Sequence, residues 1–395
     1  MKKNKFIPFS KPQLGNYELK LISQTIKSGW LTEGPKNKLF LSKLKGFLGC
    51  KNITLTSNAT SALDVALKTL NLSKKDEIIT PSLTWASAAN MIELNNGKSV
   101  FVDVDPDTLN LCFKDLKRKI NKNTKAIIPV HFAGRNYEIN KLKRIIKGKK
   151  IKIIEDCSHA IGTFKGNKHV GLQSDFSVLS FHPNKNITTG EGGALICKKK
   201  SDLTLVNKIK YLGLNKNSFE KNSSHNKSKK YKNNEVEFPG RKLIMSDLHA
   251  SIGIAQLQKL KFFLKKRKSI FKFYYDKLKK FNNIKSLSFP KTNEGHSWHL
   301  FVIKFNFKNS RNTIFDVIEY FSKNSIGTGV HYFPLHFHKY YKKKYNVKFL
   351  KNTNFLKDKI LSLPLHTQLS LKDLHKILNV LKFIDNKIQN SEKIL

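Results

Sequence analysis

Short apolar runs alternate with helically spaced segments through the first half of this chain, and this alternation is the strongest constraint on its fold. The runs read KNITLTS, DEIITPS, KSVFVDVD, TKAIIPVHF, IKIIEDC and FSVLSF. Between them, segments such as NATSALDVALKTLNL and NYEINKLKRIIKG carry apolar residues at helical spacing. Uninterrupted apolar runs are typical of strands that are buried on both faces of a parallel sheet. The sequence therefore predicts an α/β fold, in which helices cover both faces of a mainly parallel sheet.

A second, smaller α+β domain is predicted from the last part of the chain. It begins with one or two amphipathic helices, for which Ser246 or Asp247 would be the N-cap. A strand, a helix, a second strand and a final helix follow, in the segments HSWHLFVIKF, NTIFDVIEYFSKN, GTGVHYF and LSLKDLHKILNVLKFI. We expect a large domain over residues 1–245 and a small domain over residues 246–395. The polar, lysine-rich residues 214–237 are predicted to form a long surface loop that is mobile or becomes ordered on ligand binding.

The net charge is strongly positive, because 74 Lys and Arg residues outnumber 28 Asp and Glu residues and leave a formal charge of +46. Such a charge is typical of nucleic-acid-binding proteins. Here the lysines are spread along nearly every segment, so we interpret them as a solvated surface and expect no specific nucleic-acid partner. The positive field would steer anionic substrates such as nucleotide sugars to the protein. A polyanion-binding regulatory protein with a decayed catalytic site is the alternative that this charge leaves open.

The composition also argues against several classes of protein. No apolar run is long enough to span a bilayer, so we expect no membrane insertion. The first residues contain lysines but no apolar core, and we therefore expect no cleaved secretory signal. The cysteines are scattered and form no CxxC pair, which argues against a zinc ribbon or a disulfide framework. We expect a cytoplasmic protein without a metal site.

Two segments of the first domain place polar residues where predicted strands end. In TSNATSALDVAL, a helix begins near Ala59 and Thr60, and a helix N-terminus can bind an anion. A capped helix without a ligand is the other interpretation. In IKIIEDCSHAIGT, the strand ends at Asp156, and His159 follows in the next turn. The carboxylate would either cap a loop or pair with a cation or a protonated ring nitrogen.

A third segment, SVLSFHPNKNITTGEGGALI, places Lys185 in a turn between two apolar strands. The strand before the turn ends at Ser180, and a glycine-rich run follows the turn. Most lysines of so basic a chain lie at the surface, but Lys185 is separated from other lysines and would share the sheet edge with Asp156. A lysine that loses its hydration in such a cleft can act as a Schiff-base nucleophile.

Together these residues match the requirements of pyridoxal 5'-phosphate. The coenzyme needs an amine with which it forms a Schiff base, here Lys185, and a carboxylate that keeps its pyridine nitrogen protonated, here Asp156. The helix start and the Ser180 hydroxyl would hold the phosphate. Trp85 follows another strand end, in TPSLTWASAAN, and would cover the ring, with a core tryptophan as the alternative.

The order of these motifs resembles that of the DegT/DnrJ/EryC1/StrS family of sugar aminotransferases. The resemblance extends over nearly the whole chain, through NATSAL, PSLTW, PVHFAG, IIEDCSHAIGT, SFHPNKNITTGEGG, MSDLHASIGIAQL, HSWHLFVI and GTGVHYFPLH. Within the family, FIPFSKP, SGWLTEGPKN, ITPSLTWASAANMI and VDVDPDTLN are most similar to UDP-4-amino-4-deoxy-L-arabinose–oxoglutarate aminotransferase. The resemblance implies a pyridoxal-phosphate-dependent transferase of fold type I.

The resemblance also implies a role for each residue. Lys185 would hold the coenzyme and move protons between coenzyme and substrate, and Asp156 would pair with the pyridinium. His159 would lie near the phenolic oxygen of the ring. The remaining coenzyme contacts would come from Trp85 on the ring and from the phosphate-binding residues Ala59, Thr60 and Ser180.

Substrates and assembly follow from the same resemblance. The family transfers an amino group from L-glutamate, which leaves as 2-oxoglutarate, to nucleotide-linked 4-keto sugars for cell-surface polysaccharides or lipid A. Its members act as homodimers with each active site at the subunit interface. Trp30, His331 and the loop near residue 220 would face the nucleotide sugar. A pyridoxal-phosphate-dependent sugar dehydratase is the alternative within the fold, but the related dehydratases carry histidine in place of Lys185.

Two positions depart from the family pattern. Ile244, in PGRKLIMSD, occupies the place of an asparagine that reaches the phosphate of the partner subunit, and Leu212 occupies the place of a histidine. Loss of one phosphate donor would weaken coenzyme binding by about one charge-assisted hydrogen bond, roughly 1.5–3 kcal/mol. Arg241 or Lys242 would then be the compensating cation.

Overall fold

The protein is described from a computed structural model that covers residues 5–214, 235–291, 294–308, 310–347 and 349–395. Most of the predicted loop at 214–237, including the part near residue 220, therefore lies outside the described residues. Within the part of the chain that is described, no helix is long and apolar enough to cross a membrane.

One central sheet forms the large domain, and the prediction of a mainly parallel α/β fold is confirmed. Its strands are β1 (Ile53–Thr56), β2 (Glu77–Pro81), β3 (Lys98–Val102), β4 (Thr124–Ile127), β5 (Lys152–Asp156), β8 (Phe176–Ser180) and β9 (Gly193–Cys197). Their spatial order is β1-β9-β8-β5-β4-β2-β3. Neighbours pair in parallel except at β9, which runs antiparallel to β1 and β8. A short hairpin, β6 (Phe164–Lys165) with β7 (Lys168–His169), lies between β5 and β8 in the chain.

Helices cover both faces of this sheet, which explains the uninterrupted apolar runs. The helices are α1 (Asn16–Lys27), α2 (Pro35–Leu48), α3 (Ala59–Lys68), α4 (Ser87–Leu94), α5 (Phe113–Lys119), α6 (Ile139–Ile145), α7 (Lys200–Lys210) and α8 (Asp247–Leu278). Ile78 and Ile154 pack with α3, α4 and α7 on one face. Their neighbours Ile79 and Ile153 pack with α5 and α6 on the other face. Successive residues of a strand point to opposite faces, so both must be apolar.

Helix α8 joins the core of the large domain to that of the small domain. Ser246 caps it, because its side chain accepts the His249 N–H at 3.3 Å. The first half of the helix packs in the large-domain core through Ile254 and Leu260. The second half packs in the small-domain core through residues such as Tyr274. Because one helix belongs to both cores, the division at residue 245 stays a prediction.

The small domain is an antiparallel sheet covered by helices. Its strands are β10 (Ile284–Ser286), β11 (Phe301–Phe305) and β12 (Ile360–Leu363), with β11 in the middle. The helices of this domain are α9 (Ile314–Lys323), α10 (Lys339–Lys344), α11 (Lys351–Leu356) and α12 (Leu371–Gln389).

The prediction of a strand over GTGVHYF is wrong. The segment shares its backbone hydrogen bonds between two partners: Gly327 donates to the Ile7 carbonyl at 2.8 Å, and Gly329 donates to the Ser362 carbonyl at 3.0 Å. The two glycines allow this close crossing, since a Cβ on Gly327 would come within 2.9 Å of the Phe9 nitrogen. No continuous ladder forms, and the segment leads irregularly towards the large domain.

The contact between α2 and α8 depends on a glycine. A Cβ on Gly253 would come within 2.7 Å of the Phe40 ring, which is fully buried. We expect Gly253→Ala to lower the free energy of unfolding by about 1–3 kcal/mol, because overpacking forces neighbouring groups apart. In the control Gly46→Ala, also inside a helix, the new Cβ meets no atom within 4 Å. This control should raise stability by about 0.5–1 kcal/mol. Urea unfolding measures both, and equal effects would contradict the packing argument.

Candidate active site

The carboxyl ends of β5 and β8 bring the charged groups of the site together. Asp156 is the last residue of β5, and Ser180 is the last residue of β8. The two strands are parallel, and Asp156 pairs with Val178. After Ser180 the chain turns, with the Lys185 N–H donating to the His182 carbonyl at 2.9 Å. Lys185 therefore lies at the edge of the sheet where Asp156 ends.

The Lys185 amine is poorly hydrated. The residue as a whole is half-buried. Burial lowers its pKa from 10.5 to about 8, while the nearby Asp156 carboxylate acts in the opposite direction. Among the described residues this amine takes part in no hydrogen bond. At pH 8 about half of the molecules would therefore carry an unprotonated, nucleophilic amine.

Asp156 is fixed by the loop beside it and is only 6% exposed. Its N–H donates to the Pro129 carbonyl at 2.8 Å, and its carbonyl accepts the His131 N–H at 3.0 Å. One carboxylate oxygen, Oδ1, accepts the Ser158 N–H at 2.9 Å. Within the described chain Oδ2 has no hydrogen-bonding partner. The carboxylate thus caps a loop and still offers one oxygen to a cation, so both interpretations of the sequence apply.

A buried pair behind β5 supports this arrangement. Nδ1 of His131 accepts the Tyr137 N–H at 3.1 Å, so the ring hydrogen is on Nε2 and is donated to Glu155 at 2.7 Å. Cys157 lies nearby, and the three side chains could in principle hold a metal ion. Both ring nitrogens of His131 are already hydrogen-bonded within the protein. The pair therefore stabilises the loop that holds Asp156.

The predicted phosphate-binding residues lie at the same sheet edge. Ser180, at the end of β8, and Thr56, at the end of β1, both pair with Gly193 of β9. Helix α3 starts just after Thr56, so only β9 lies between the Ser180 residue and the strand that leads into α3. The Asn58 side chain caps α3 by accepting the Ser61 N–H at 2.8 Å. A Cβ on Gly193 would come within 2.6 Å of the Ala59 nitrogen, so glycine is needed for β9 to pass the helix start. The first N–H groups of α3, at Ala59 and Thr60, and the Ser180 hydroxyl could hold an anion.

His159 is buried beside the Lys185 amine and is neutral. Burial holds its pKa well below 6.5, and the nearby Lys185 charge lowers it further. Its Nδ1 accepts the Ala133 N–H at 3.3 Å, and its Nε2 lies 2.9 Å from the Tyr332 hydroxyl oxygen. The ring of His299 is 4.5 Å away, centroid to centroid.

The sequence analysis missed Tyr332 and His299. His299 had a signal in the sequence, because it directly precedes the apolar run LFVI, and the structure places it in the interior at 4% exposure. Tyr332 carried no such signal, since its segment was interpreted as a strand and its partner His159 is distant in sequence.

Trp85 is not a core residue, because 63% of its surface is exposed. It follows β2, and its ring lies 5.9 Å from that of Tyr332. The exposed indole could take a planar ligand, and its stacking on the coenzyme ring stays a prediction.

The two predicted substrate residues lie in different surroundings. Nδ1 of His331 is 2.9 Å from the Ser362 hydroxyl. Burial and then the Lys185 charge lower the His331 pKa to about 3, so His331 belongs to the cluster around Lys185. Trp30 lies between α1 and α2 with its ring against Gly34, where a Cβ would come within 1.8 Å of the indole Nε1. Its contact with a substrate stays a prediction.

The two departures from the family pattern lie on neighbouring segments beside α3. The Leu212 N–H donates to the Arg241 carbonyl at 2.8 Å, and the Leu243 carbonyl accepts the Ser57 N–H at 3.1 Å. Ile244 directly follows Leu243, whose backbone hydrogen bond ties this segment to the residues just before α3. The Arg241 side chain lies 2.5 Å from a carboxylate oxygen of Asp64. Arg241 is thus already paired with an acid and is a poor candidate for the compensating cation.

Comparisons with known proteins identify the family. The model of the DegT/DnrJ/EryC1/StrS aminotransferase family matches residues 12–382, and the chain belongs to this family. PseC of Helicobacter pylori, an aminotransferase involved in the biosynthesis of pseudoaminic acid, is 28% identical with a TM-score of 0.86, over 96% of this chain and 100% of that chain. The PLP-form of Spr1654 from Streptococcus pneumoniae is 26% identical with a TM-score of 0.87, over 97% of this chain and 100% of that chain.

Family and neighbours show that the protein is an aminotransferase of fold type I that uses pyridoxal 5'-phosphate. The residues of this chain fit the coenzyme. Within the described residues the Lys185 amine has no hydrogen bond and one carboxylate oxygen of Asp156 has no partner. The close approach of Gly193 to Ala59 brings β9 to the first N–H groups of α3.

The pKa of Lys185 gives a prediction that needs no coenzyme. In the coenzyme-free protein, labelling of Lys185 by acetic anhydride should rise with pH through a midpoint near 8, because only the neutral amine reacts. Peptide mass spectrometry can follow Lys185 beside exposed Lys20 as a reference. In Asp156→Asn the midpoint should fall, because the carboxylate that stabilises the ammonium is lost. A Lys185 midpoint equal to that of Lys20, or a rise in Asp156→Asn, would contradict the proposed environment.

Proposed function

We propose that the protein transfers the amino group of L-glutamate to a nucleotide-linked 4-keto sugar and that it acts as a homodimer. The observation that carries the proposal is the poorly hydrated Lys185 amine near Asp156, which makes no hydrogen bond to any residue that the structure describes. Membership in a family of sugar aminotransferases supports the sugar substrate. The sequence motifs support glutamate, the nucleotide linkage and the dimer, and they favour a role close to that of the UDP-4-amino-4-deoxy-L-arabinose enzymes.

When bound, the coenzyme supplies an electron sink for the charge that develops when a proton leaves the amino-bearing carbon. Lys185 would take up that proton at Nζ and return it to the neighbouring reaction centre, first as a general base and then as a general acid. A pKa of about 8 suits both directions near neutral pH, because the amine is readily protonated and readily deprotonated. Asp156 would pair through Oδ2 with the protonated pyridine nitrogen of the coenzyme.

The surroundings of Lys185 also support an anionic sugar substrate. The exposed indole of Trp85 offers an apolar face at the mouth of the cleft, and His331 lies on its small-domain side. PseC, a neighbour in structure, is involved in the biosynthesis of pseudoaminic acid, which makes a sugar the natural class to test. The formal charge of +46 would attract the phosphates of a nucleotide sugar.

The two alternatives have less support. A sugar dehydratase of this fold would carry histidine in place of Lys185. A polyanion-binding protein with a decayed site would have no reason to keep the Lys185 amine desolvated beside a fixed carboxylate. Burial of an unpaired amine costs free energy, and such a cost persists mainly where function requires it.

The substrate can be tested with a panel of UDP-, dTDP- and GDP-linked 4-keto sugars, with L-glutamate as donor and 2-oxoglutarate release as the readout. Turnover that needs a nucleotide sugar supports the proposal. Turnover only with free sugars, or with another amino donor, would contradict the nucleotide or the glutamate part. Sedimentation measures the dimer separately.

Lys185→Ala should abolish covalent coenzyme attachment after borohydride reduction, which in the wild type should map to the peptide that contains Lys185. Transamination should fall by about 10²–10⁴-fold or more, because both the covalent anchor and the proton carrier are lost. Lys20→Ala, an exposed control, should match the wild type in both measurements. Equal melting temperatures would show that the fold is intact. Attachment at another lysine would overturn the role of Lys185.

A further inference from the structure

The hydrogen bonds around His159 form a chain with a fixed direction. The Ala133 N–H donates to Nδ1 of His159 at 3.3 Å. Because the His159 pKa is far below 6.5, the ring is neutral and carries its single hydrogen on Nε2. Nε2 lies 2.9 Å from the Tyr332 hydroxyl oxygen. His159 is therefore the donor in this bond, and Tyr332 is the acceptor.

Tyr332 is left with a hydroxyl hydrogen that the chain of bonds does not use. In the described part of the protein, its hydroxyl makes no other hydrogen bond. Burial raises the Tyr332 pKa, and the Asp156 charge raises it further, so the hydroxyl keeps its proton. The half-buried residue thus offers one free O–H donor in the cleft.

The Tyr332 ring is held in place by the large domain, although the residue belongs to the small domain. Its centroid lies 5.9 Å from that of Trp85, 6.2 Å from that of His159 and 6.3 Å from that of Phe132. These three rings hold the Tyr332 ring in place. The free O–H therefore lies in the cleft beside the exposed indole of Trp85, where the Asp156 charge acts on it.

We propose that Tyr332 donates a hydrogen bond to the phenolic oxygen of the coenzyme and that His159 acts behind it as a positioning residue. The inference rests on the proposed function, which places the coenzyme between Lys185 and Asp156. The resemblance to the family suggested His159 for this oxygen, but the hydrogen of His159 is already used by Tyr332. The phenolic oxygen is anionic, and an O–H donor stabilises its charge.

The absorption of the bound coenzyme provides the test. A hydrogen bond to the anionic phenolic oxygen stabilises its negative charge. The oxygen then attracts a neighbouring proton less strongly, so that proton is lost at lower pH. In Tyr332→Phe, the pH midpoint at which the visible band titrates should therefore rise by about one unit, the equivalent of one hydrogen bond to a charged acceptor. The dissociation constant of pyridoxal 5'-phosphate, measured by titration of the coenzyme-free protein, should rise about tenfold.

Tyr341→Phe is the matched control. Tyr341 also lies in the C-terminal part of the chain, and its hydroxyl donates to a large-domain residue, Asn90. This variant loses one hydroxyl outside the cleft and should keep the wild-type midpoint.

His159→Ala decides between the two donors. If the chain of bonds ends at Tyr332, then His159→Ala should shift the midpoint less than Tyr332→Phe, and the double variant should match Tyr332→Phe. A full shift in His159→Ala with none in Tyr332→Phe would overturn the inference, as would weaker binding in Tyr332→Phe without a shift.

If wild type takes up no coenzyme, the proposed function fails, and the inference fails with it. Normal uptake with an unchanged midpoint in Tyr332→Phe overturns the inference alone.

Discussion

The site depends on the balance between the desolvation of the Lys185 amine and the charge of Asp156. Burial alone would favour the neutral amine and lower its pKa further, whereas the carboxylate favours the ammonium, and the outcome is a pKa of about 8. That balance requires the two groups to be fixed at one sheet edge. The parallel pairing of β5 with β8 achieves this, because strands that run in the same direction end on the same side.

The sequence was sufficient where the determining contacts are local. Strands buried on both faces need apolar residues at every position, so the apolar runs indicated the sheet, and polar residues at their ends indicated Asp156, Ser180 and Lys185. It was insufficient where distant segments meet. The segment GTGVHYF has the pattern of a strand, yet its bonds to Ile7 and Ser362 prevent a ladder. Tyr332 could not be assigned to the site for the same reason, because its partner His159 lies in the other domain.

The basic composition hides the functional lysine, and burial distinguishes it only in part. Lys210 is even more buried, at 4% exposure. Its amine, however, is paired with Glu33 at 2.9 Å and donates to the Leu55 carbonyl at 3.1 Å. A buried amine with these partners is satisfied and structural. Lys185 differs because its amine lacks such hydrogen bonds within the described residues, and this difference can be seen only in three dimensions.

The histidines around Lys185 follow from the same electrostatic constraint. His159, His299 and His331 all have pKa values below 6.5, first because they are buried and then because they lie near positive groups that include Lys185. A charged imidazole here would repel the ammonium, so each ring stays neutral with one donor and one acceptor. A neutral imidazole has one nitrogen that accepts and one that donates. In His159 the Ala133 N–H occupies Nδ1 as acceptor, so Nε2 must be the donor. The large-domain backbone thereby determines which hydrogen a small-domain tyrosine presents to the cleft.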